Sequence, residues 1–209
     1  MNITVIGAGN VGSAVARGAS GAGHAVVIAA RNQAEVEAVA AHVGAQPSTD
    51  LPAAVAEADV VVLAIPYDAV ADVAASIAEQ VRGKVVVDAT NPIAADFSGL
   101  AVSDRSGAEE VQDLFGGAPV VKAFNTVFAA NQAQGVVEGI QLDGFYAGDD
   151  QQAKQTAAEL LASFGFRPVD AGSLKAAQAL EHMAFLNISL NAANGWSWQS
   201  GWKLVGPLG

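Results

Sequence analysis

The chain has 209 residues, with 10 Lys and Arg against 21 Asp and Glu, a formal net charge of −11 and no cysteine. The acidic balance argues against nucleic acid or an anionic membrane as partner, and the missing cysteine excludes disulfides, thiolate nucleophiles and zinc–thiolate sites. At 52% hydrophobic the chain can bury a sizeable core, yet no apolar run reaches the roughly 18 residues of a membrane span.

Ile3–Ile6 is β-branched and reads as a strand. It ends at Gly7, and Gly9 and Gly12 follow, opening a helix expected over Asn10–Ala22. This is G-x-G-x-x-G with a strand before it and a helix after it, the context that gives the pattern meaning. Gly7 suits a tight turn, Gly9 leaves room for a pyrophosphate, and Gly12 lets helix pack on strand. The amides of Asn10 and Val11 would then face the anion from a helix N-terminus. A second strand is expected over His24–Ala30, a helix over Gln33–His42, a short strand over Gly44–Pro47 and a short helix over Leu51–Ala56. The continuous apolar run Asp59–Ile65 reads as a parallel strand covered on both faces, and Ala69–Gln80 as a helix. Lys84–Asp88 is a further strand, residues 94–107 a loop, Ala108–Phe115 a helix, Val120–Phe124 a strand and Ala129–Gln134 a helical turn. Strands are then expected at Ile140–Ala147 and Arg167–Asp170. Between them lies a helix over Asp149–Phe164, capped by Asp149 or Asp150 and stopped by Gly165. Ser173–Asn194 reads as a long final helix.

This alternation predicts an α/β fold: a doubly wound, mostly parallel sheet of the Rossmann dinucleotide-binding type. Residues 1–135 are expected to form the dinucleotide-binding domain, and residues 136–209 a small C-terminal α/β extension packed on it. In such a sheet the ligand lies beyond the carboxyl ends of the strands, so the loops there carry the chemistry. After the second strand stand Arg31 and Asn32, with no acid at the strand tip to accept from a ribose 2′-hydroxyl. An arginine there can bond a 2′-phosphate, which favours NADP(H) over NAD(H). Ile65 and Pro66 follow the fourth strand and would wall the nicotinamide ribose. Asn91 follows the fifth and offers donor and acceptor near the nicotinamide. Asn125 and Thr126 follow the sixth and would face a second substrate. Lys122 reads as a strand-edge charge rather than a base. The tail Asn194–Trp202 holds all three tryptophans, suited either to an acceptor wall or to a subunit interface. The three histidines are scattered, so no metal site is expected.

Several segments together carry a family resemblance: Gly7-Ala8-Gly9-Asn10-Val11-Gly12, Ala30-Arg31, Leu63-Ala64-Ile65-Pro66-Tyr67, Val121-Lys122-Ala123-Phe124-Asn125-Thr126, Ala147-Gly148-Asp149-Asp150 and Arg167-Pro168-Val169-Asp170-Ala171-Gly172-Ser173-Leu174. Over nearly its whole length the chain resembles the NADPH-dependent reductases that link NADP to coenzyme F420, an 8-hydroxy-5-deazaflavin. That family includes the NADPH-oxidising domains of six-transmembrane metalloreductases. The resemblance implies that Asn10, Val11, Arg31, Ile65, Asn91 and Ala123 contact NADP. It also shows two departures from the deazaflavin enzymes. Glu35 stands where they carry a second basic residue for the 2′-phosphate, and Asn125 stands where they carry a histidine. Asn125 and Thr126 are instead what the metalloreductase domains show.

The expected function is therefore an NADPH-dependent oxidoreductase passing hydride between NADP(H) and a flavin-like or deazaflavin acceptor, coenzyme F420 or a flavin. The alternatives are an NADP-dependent carbonyl or imine reductase and a non-catalytic NADP-binding sensor. A strand beginning almost at Met1 leaves no room for a signal peptide, so a cytoplasmic protein is expected. The final helix carries Leu180, Met183, Leu186, Ile188 and Leu190 around more of its surface than one core-facing stripe needs, which predicts a homodimer.

Overall fold

The computed structural model describes residues 1–206. In chain order the elements are β1 (Asn2–Ile6), α1 (Asn10–Gly21), β2 (Ala25–Ala29), α2 (Gln33–Val43), β3 (Gln46–Ser48), α3 (Leu51–Ala56), β4 (Val60–Leu63), α4 (Val70–Ile77), β5 (Val85–Asp88), α5 (Gly107–Leu114), β6 (Val120–Ala123), α6 (Ala129–Gln132), β7 (Val136–Val137), β8 (Ile140–Gln141), β9 (Asp143–Gly148), α7 (Gln151–Ser163), β10 (Arg167–Asp170) and α8 (Ala177–Asn194).

Strand residues alternate between two covering layers because successive side chains leave a strand on opposite faces. Val60 and Val62 of β4 enter the layer formed with α1 and α2, and Val61 and Leu63 the layer formed with α3, α4 and α5. All four are fully buried, so this strand is apolar throughout rather than alternating. The sheet order is β10-β9-β6-β5-β4-β1-β2-β3. The six strands from β3 to β6 are parallel, in the order of a doubly wound dinucleotide fold. The strand order reverses between β1 and β4, and the crevice beyond their carboxyl ends is where such sheets bind ligands. β9 pairs antiparallel with β6, and β10 parallel with β9, so the same sheet continues into the C-terminal part of the chain.

The structure departs from the sequence reading chiefly in three places, and the final helix, expected from Ser173, is α-helical from Ala177 after a 3-10 turn. The strand expected over Ile140–Ala147 is two: Ile140–Gln141 pairs with Val136–Val137 in a small separate hairpin, and Asp143–Gly148 joins the main sheet. Only the second stretch reaches an edge of the main sheet. The helix expected over Ala69–Gln80 begins as a 3-10 turn at Tyr67–Ala69 and is α-helical only over Val70–Ile77. Lys122 is not at a strand edge. It lies in the interior strand β6 with its side chain wholly buried.

Candidate functional site

The loop after β1 is built by its glycines. Gly7 takes φ +115°, and an added Cβ there would overlap the Ala64 carbonyl oxygen. A Cβ at Gly12 would overlap the Gly7 carbonyl oxygen. Both positions are closed by backbone. Gly9 differs: its φ of −72° suits any residue, and an added Cβ meets nothing within 4 Å. Gly9 is the N-cap of α1 and has no side chain to cap with, and the first turn carries no acid. The amides of Asn10 and Val11 thus sit at an uncapped positive helix end, which is suited to an anion.

Three hollows run along the crevice. The first, about 280 Å³, is lined by Gly9, Asn10, Val11, Ile65, Pro66 and Asn91, with Ala64, Ala89 and Thr90 between them. It joins a second of about 150 Å³ across Val11, Ala89 and Asn91. That one is lined further by Asn125, Thr126, Gln132 and, from α8, Ala184, Asn187 and Ile188. Phe128 and Ala129 then separate it from a third, about 550 Å³, that reaches Arg17 and Trp198.

The tips of β5 and β6 are locked together. Asn91 Nδ2 donates to the Asn125 carbonyl at 3.0 Å, and Asn125 Nδ2 donates to Asn91 Oδ1 at 2.9 Å. Phe124 turns the chain out of β6 with φ +63°, a costly conformation for a bulky residue. Its ring is held by Phe164 at 5.3 Å and Phe166 at 6.3 Å, so burial offsets the backbone strain and delivers Asn125 and Thr126 to the hollow. Gln132 Nε2 donates to the carbonyls of Phe124 and Val127 and fixes this turn from behind. Thr90 Oγ1, Asn125 Oδ1, Thr126 Oγ1 and Gln132 Oε1 are buried here without a hydrogen-bond partner. Buried polar groups are nearly always paired. Four orphans around one crevice fit a bound group that brings its own donors.

Beneath the tips lies a wholly buried ionic cluster. Lys122 Nζ reaches Asp88 Oδ2 at 2.7 Å, Glu181 Oε1 at 3.0 Å and the Thr90 carbonyl at 2.8 Å. Glu181 also accepts from the amides of Gly107 and Ala108 at the start of α5. Burial pushes the Lys122 ammonium pKa down, but the Asp88 and Glu181 carboxylates outweigh it and hold the group above the ordinary lysine value. Tyr67, next to Pro66, donates to Glu110. Burial first, and then that bond, raises its phenol far above the usual range, so Tyr67 stays protonated.

Of the residues singled out in the sequence, Gly9, Asn10, Val11, Ile65, Pro66 and Asn91 meet in the first hollow. Asn125 and Thr126 meet in the adjoining one. Arg31 is exposed after β2 and has no ion pair among the described residues. Asn32 uses its side chain to cap α2, accepting from the Glu35 amide at 3.2 Å. Ala123 is fully buried within β6, so the structure does not bring it to the crevice surface. Of the tryptophans, Trp198 lines the third hollow and packs edge-on against Phe128 at 5.5 Å, whereas Trp196 projects into solvent. Sequence reasoning missed Gln132, Asn187 and the ionic cluster. A lysine inside an apolar strand was the available signal for the cluster, and its register opposite Asp88 required the sheet.

Comparison with known proteins is consistent with this geometry. Residues 2–92 match the family described as "NADP oxidoreductase coenzyme F420-dependent". The chain is 34% identical to the F420-dependent NADP reductase of Methanothermobacter thermautotrophicus over 93% of its own length and 90% of the relative's. It is 30% identical to the metalloreductase STEAP3 of Rattus norvegicus over 86% of its length, a match that spans 35% of that protein. A crystal structure from Arthrobacter sp. FB24, provisionally described as an F420-dependent NADP-reductase, superposes with a TM-score of 0.86 and 26% identity. It covers 97% of this chain and 99% of that one. Among the described residues no helix is long and apolar enough to cross a membrane.

Proposed function

Because the chain belongs to the family of coenzyme F420-dependent NADP oxidoreductases, we propose that it transfers hydride between NADP(H) and the ring of coenzyme F420 or a related flavin. The observation that carries this is the pair of adjoining hollows that share Val11, Ala89 and Asn91. One opens from the uncapped start of α1, and the other is walled by Asn125, Thr126 and α8. Two flat rings can meet across that shared wall.

The nicotinamide and the acceptor ring supply the redox chemistry, and the protein supplies orientation and exclusion of water. Gly9 keeps the cradle open, and the amides of Asn10 and Val11 bind the pyrophosphate. Ile65 and Pro66 wall the nicotinamide side. The Asn91–Asn125 pair fixes the floor between the rings, and the orphaned acceptor atoms of Asn125 and Gln132 receive N–H donors from them. Arg31 binds the 2′-phosphate and selects NADP(H) over NAD(H). On this reading residues 1–135 carry the dinucleotide, and residues 136–209 contribute the α8 wall; residues 207–209 lie outside the described structure.

We also propose a cytoplasmic homodimer. Leu186 and Leu190, one turn apart on α8, are exposed together with Trp196 on the stretch that follows. An apolar face of this kind is commonly covered by a second copy.

The test is rapid-mixing oxidation of NADPH against coenzyme F420, FMN and FAD. Oxidation by at least one ring acceptor is expected. NADPH binding without turnover on any of them would overturn the reading in favour of a non-catalytic NADP-binding protein.

A further inference from the structure

The third hollow has no role in hydride transfer itself, yet its lining is chemically distinctive. Asn10, Ser13 and Arg17 project from one face of α1, as their spacing of three and four residues requires. Opposite stand Phe128, Ser197 and Trp198. The chain carries 21 acidic residues against 10 basic ones, yet among the described residues no carboxylate lines this space. Most of its cations are spent. Arg82, Arg105, Lys122, Lys154, Arg167 and Lys203 are ion-paired, and Lys84 is bound by two carbonyls. Arg17 is exposed and has no ionic or hydrogen-bonded partner among the described residues. An unpaired guanidinium in a hollow whose described lining holds no acid, on a strongly acidic protein, is a ready anion site.

Its position narrows the ligand. Arg17 lies seven residues beyond Asn10, about 10 Å along the helix, two turns below the amides that open it. The hollow touches the cradle at Asn10 alone and adjoins the acceptor pocket across two residues, Phe128 and Ala129. We infer that Arg17 is a specificity-determining residue that binds an anionic side chain, phosphate or carboxylate, carried by the acceptor ring, with Phe128 and Trp198 lining the path between ring and charge. The inference rests on the hydride-transfer reading above and adds a specificity residue to it: Arg17 is what favours ring acceptors with an anionic tail over the same rings without one.

The experiment compares wild type, Arg17→Ala and Arg17→Lys on two acceptor pairs. One pair is FMN and riboflavin; the other is coenzyme F420 and its core lacking the anionic side chain. The expected result is a KM for the tailed acceptors raised roughly threefold to tenfold in Arg17→Ala, and less in Arg17→Lys. The KM for tail-less acceptors and the Kd for NADPH should stay unchanged. Raised ionic strength should mimic the alanine variant. Equal effects on tailed and tail-less acceptors, or a weakened NADPH complex, would overturn the assignment. FMN binding to the NADP-loaded protein, read by quenching of flavin fluorescence, separates the two levels. Binding that depends on Arg17 without turnover removes the hydride reading and keeps the anion site; turnover indifferent to Arg17 does the reverse.

Discussion

Asn91 and Asn125 exchange amide hydrogen bonds across the tips of neighbouring strands, at 3.0 and 2.9 Å. The first bond reaches the Asn125 main-chain carbonyl and survives in an alanine variant; the second is lost with the Asn125 side chain and leaves Asn91 Oδ1 without its donor. Asn125→Ala should lower kcat for acceptor reduction about tenfold to a hundredfold, as misplacement of a substrate-positioning group does. NADPH affinity should change little, because the phosphate cradle lies at the other end of the crevice. Single-turnover kinetics together with NADPH titration checks the split, and a loss confined to NADPH binding would contradict it.

Arg31 is exposed after β2, and its removal should not affect the fold. One charge-assisted contact is worth about 1.5–3 kcal/mol, or roughly a tenfold to hundredfold change in affinity. Arg31→Ala should raise the NADPH Kd by about that factor and leave NADH nearly unchanged. Calorimetry of both cofactors decides it, and equal wild-type affinity for the two would refute the selection.

Gly9 and Gly12 of the first loop should behave differently. Gly9→Val keeps an allowed backbone and points its side chain into open space. The variant should fold with near-normal thermal stability and lose NADPH binding. Gly12→Val drives a side chain into the Gly7 carbonyl and should fail to fold or melt well below wild type. Circular dichroism with a binding titration separates the two outcomes.

The buried cluster makes Lys122 a stability residue. Lys122→Met leaves Asp88 and Glu181 buried without a counter-charge, and should cost about 3–5 kcal/mol in denaturant unfolding. The pH dependence has a definite sign. Because the folded pKa of Lys122 lies above the ordinary lysine value, its contribution is fully present below about pH 10.5 and is lost as pH rises through the folded value. Glu181→Gln removes one of the raising charges and should move that alkaline loss to lower pH.

The proposed dimer is tested at α8. Leu186→Glu with Leu190→Glu places charge on an exposed apolar face and should yield a folded monomer, against a dimeric wild type by light scattering at micromolar concentration. Truncation after Ala193 is a harsher test. It removes Lys203 and the Leu204 amide, two partners of the buried Asp143 carboxylate, so loss of acceptor reduction should come with lower stability.

The local sequence determined the layered fold and the phosphate cradle. A β-branched run, Gly7, Gly9, Gly12 and an apolar helix lie within 20 residues of one another, and local sterics dictate that turn. The run Val60–Leu63 likewise announced a strand covered on both faces. The sequence also marked Asn91, Asn125 and Thr126, because residues just past parallel strands face the crevice by topology alone. What it did not contain was distance between remote segments. Lys122 became the centre of an ionic cluster only because β6 lies in register beside β5 and α8 brings Glu181 over both, 59 positions along the chain. Gln132 gained its role from the turn at Phe124, and Arg17 from a tail that folds back so that Trp198 meets Phe128. Such pairings depend on sheet order and helix docking, where long-range packing decides which of many polar side chains end up buried together.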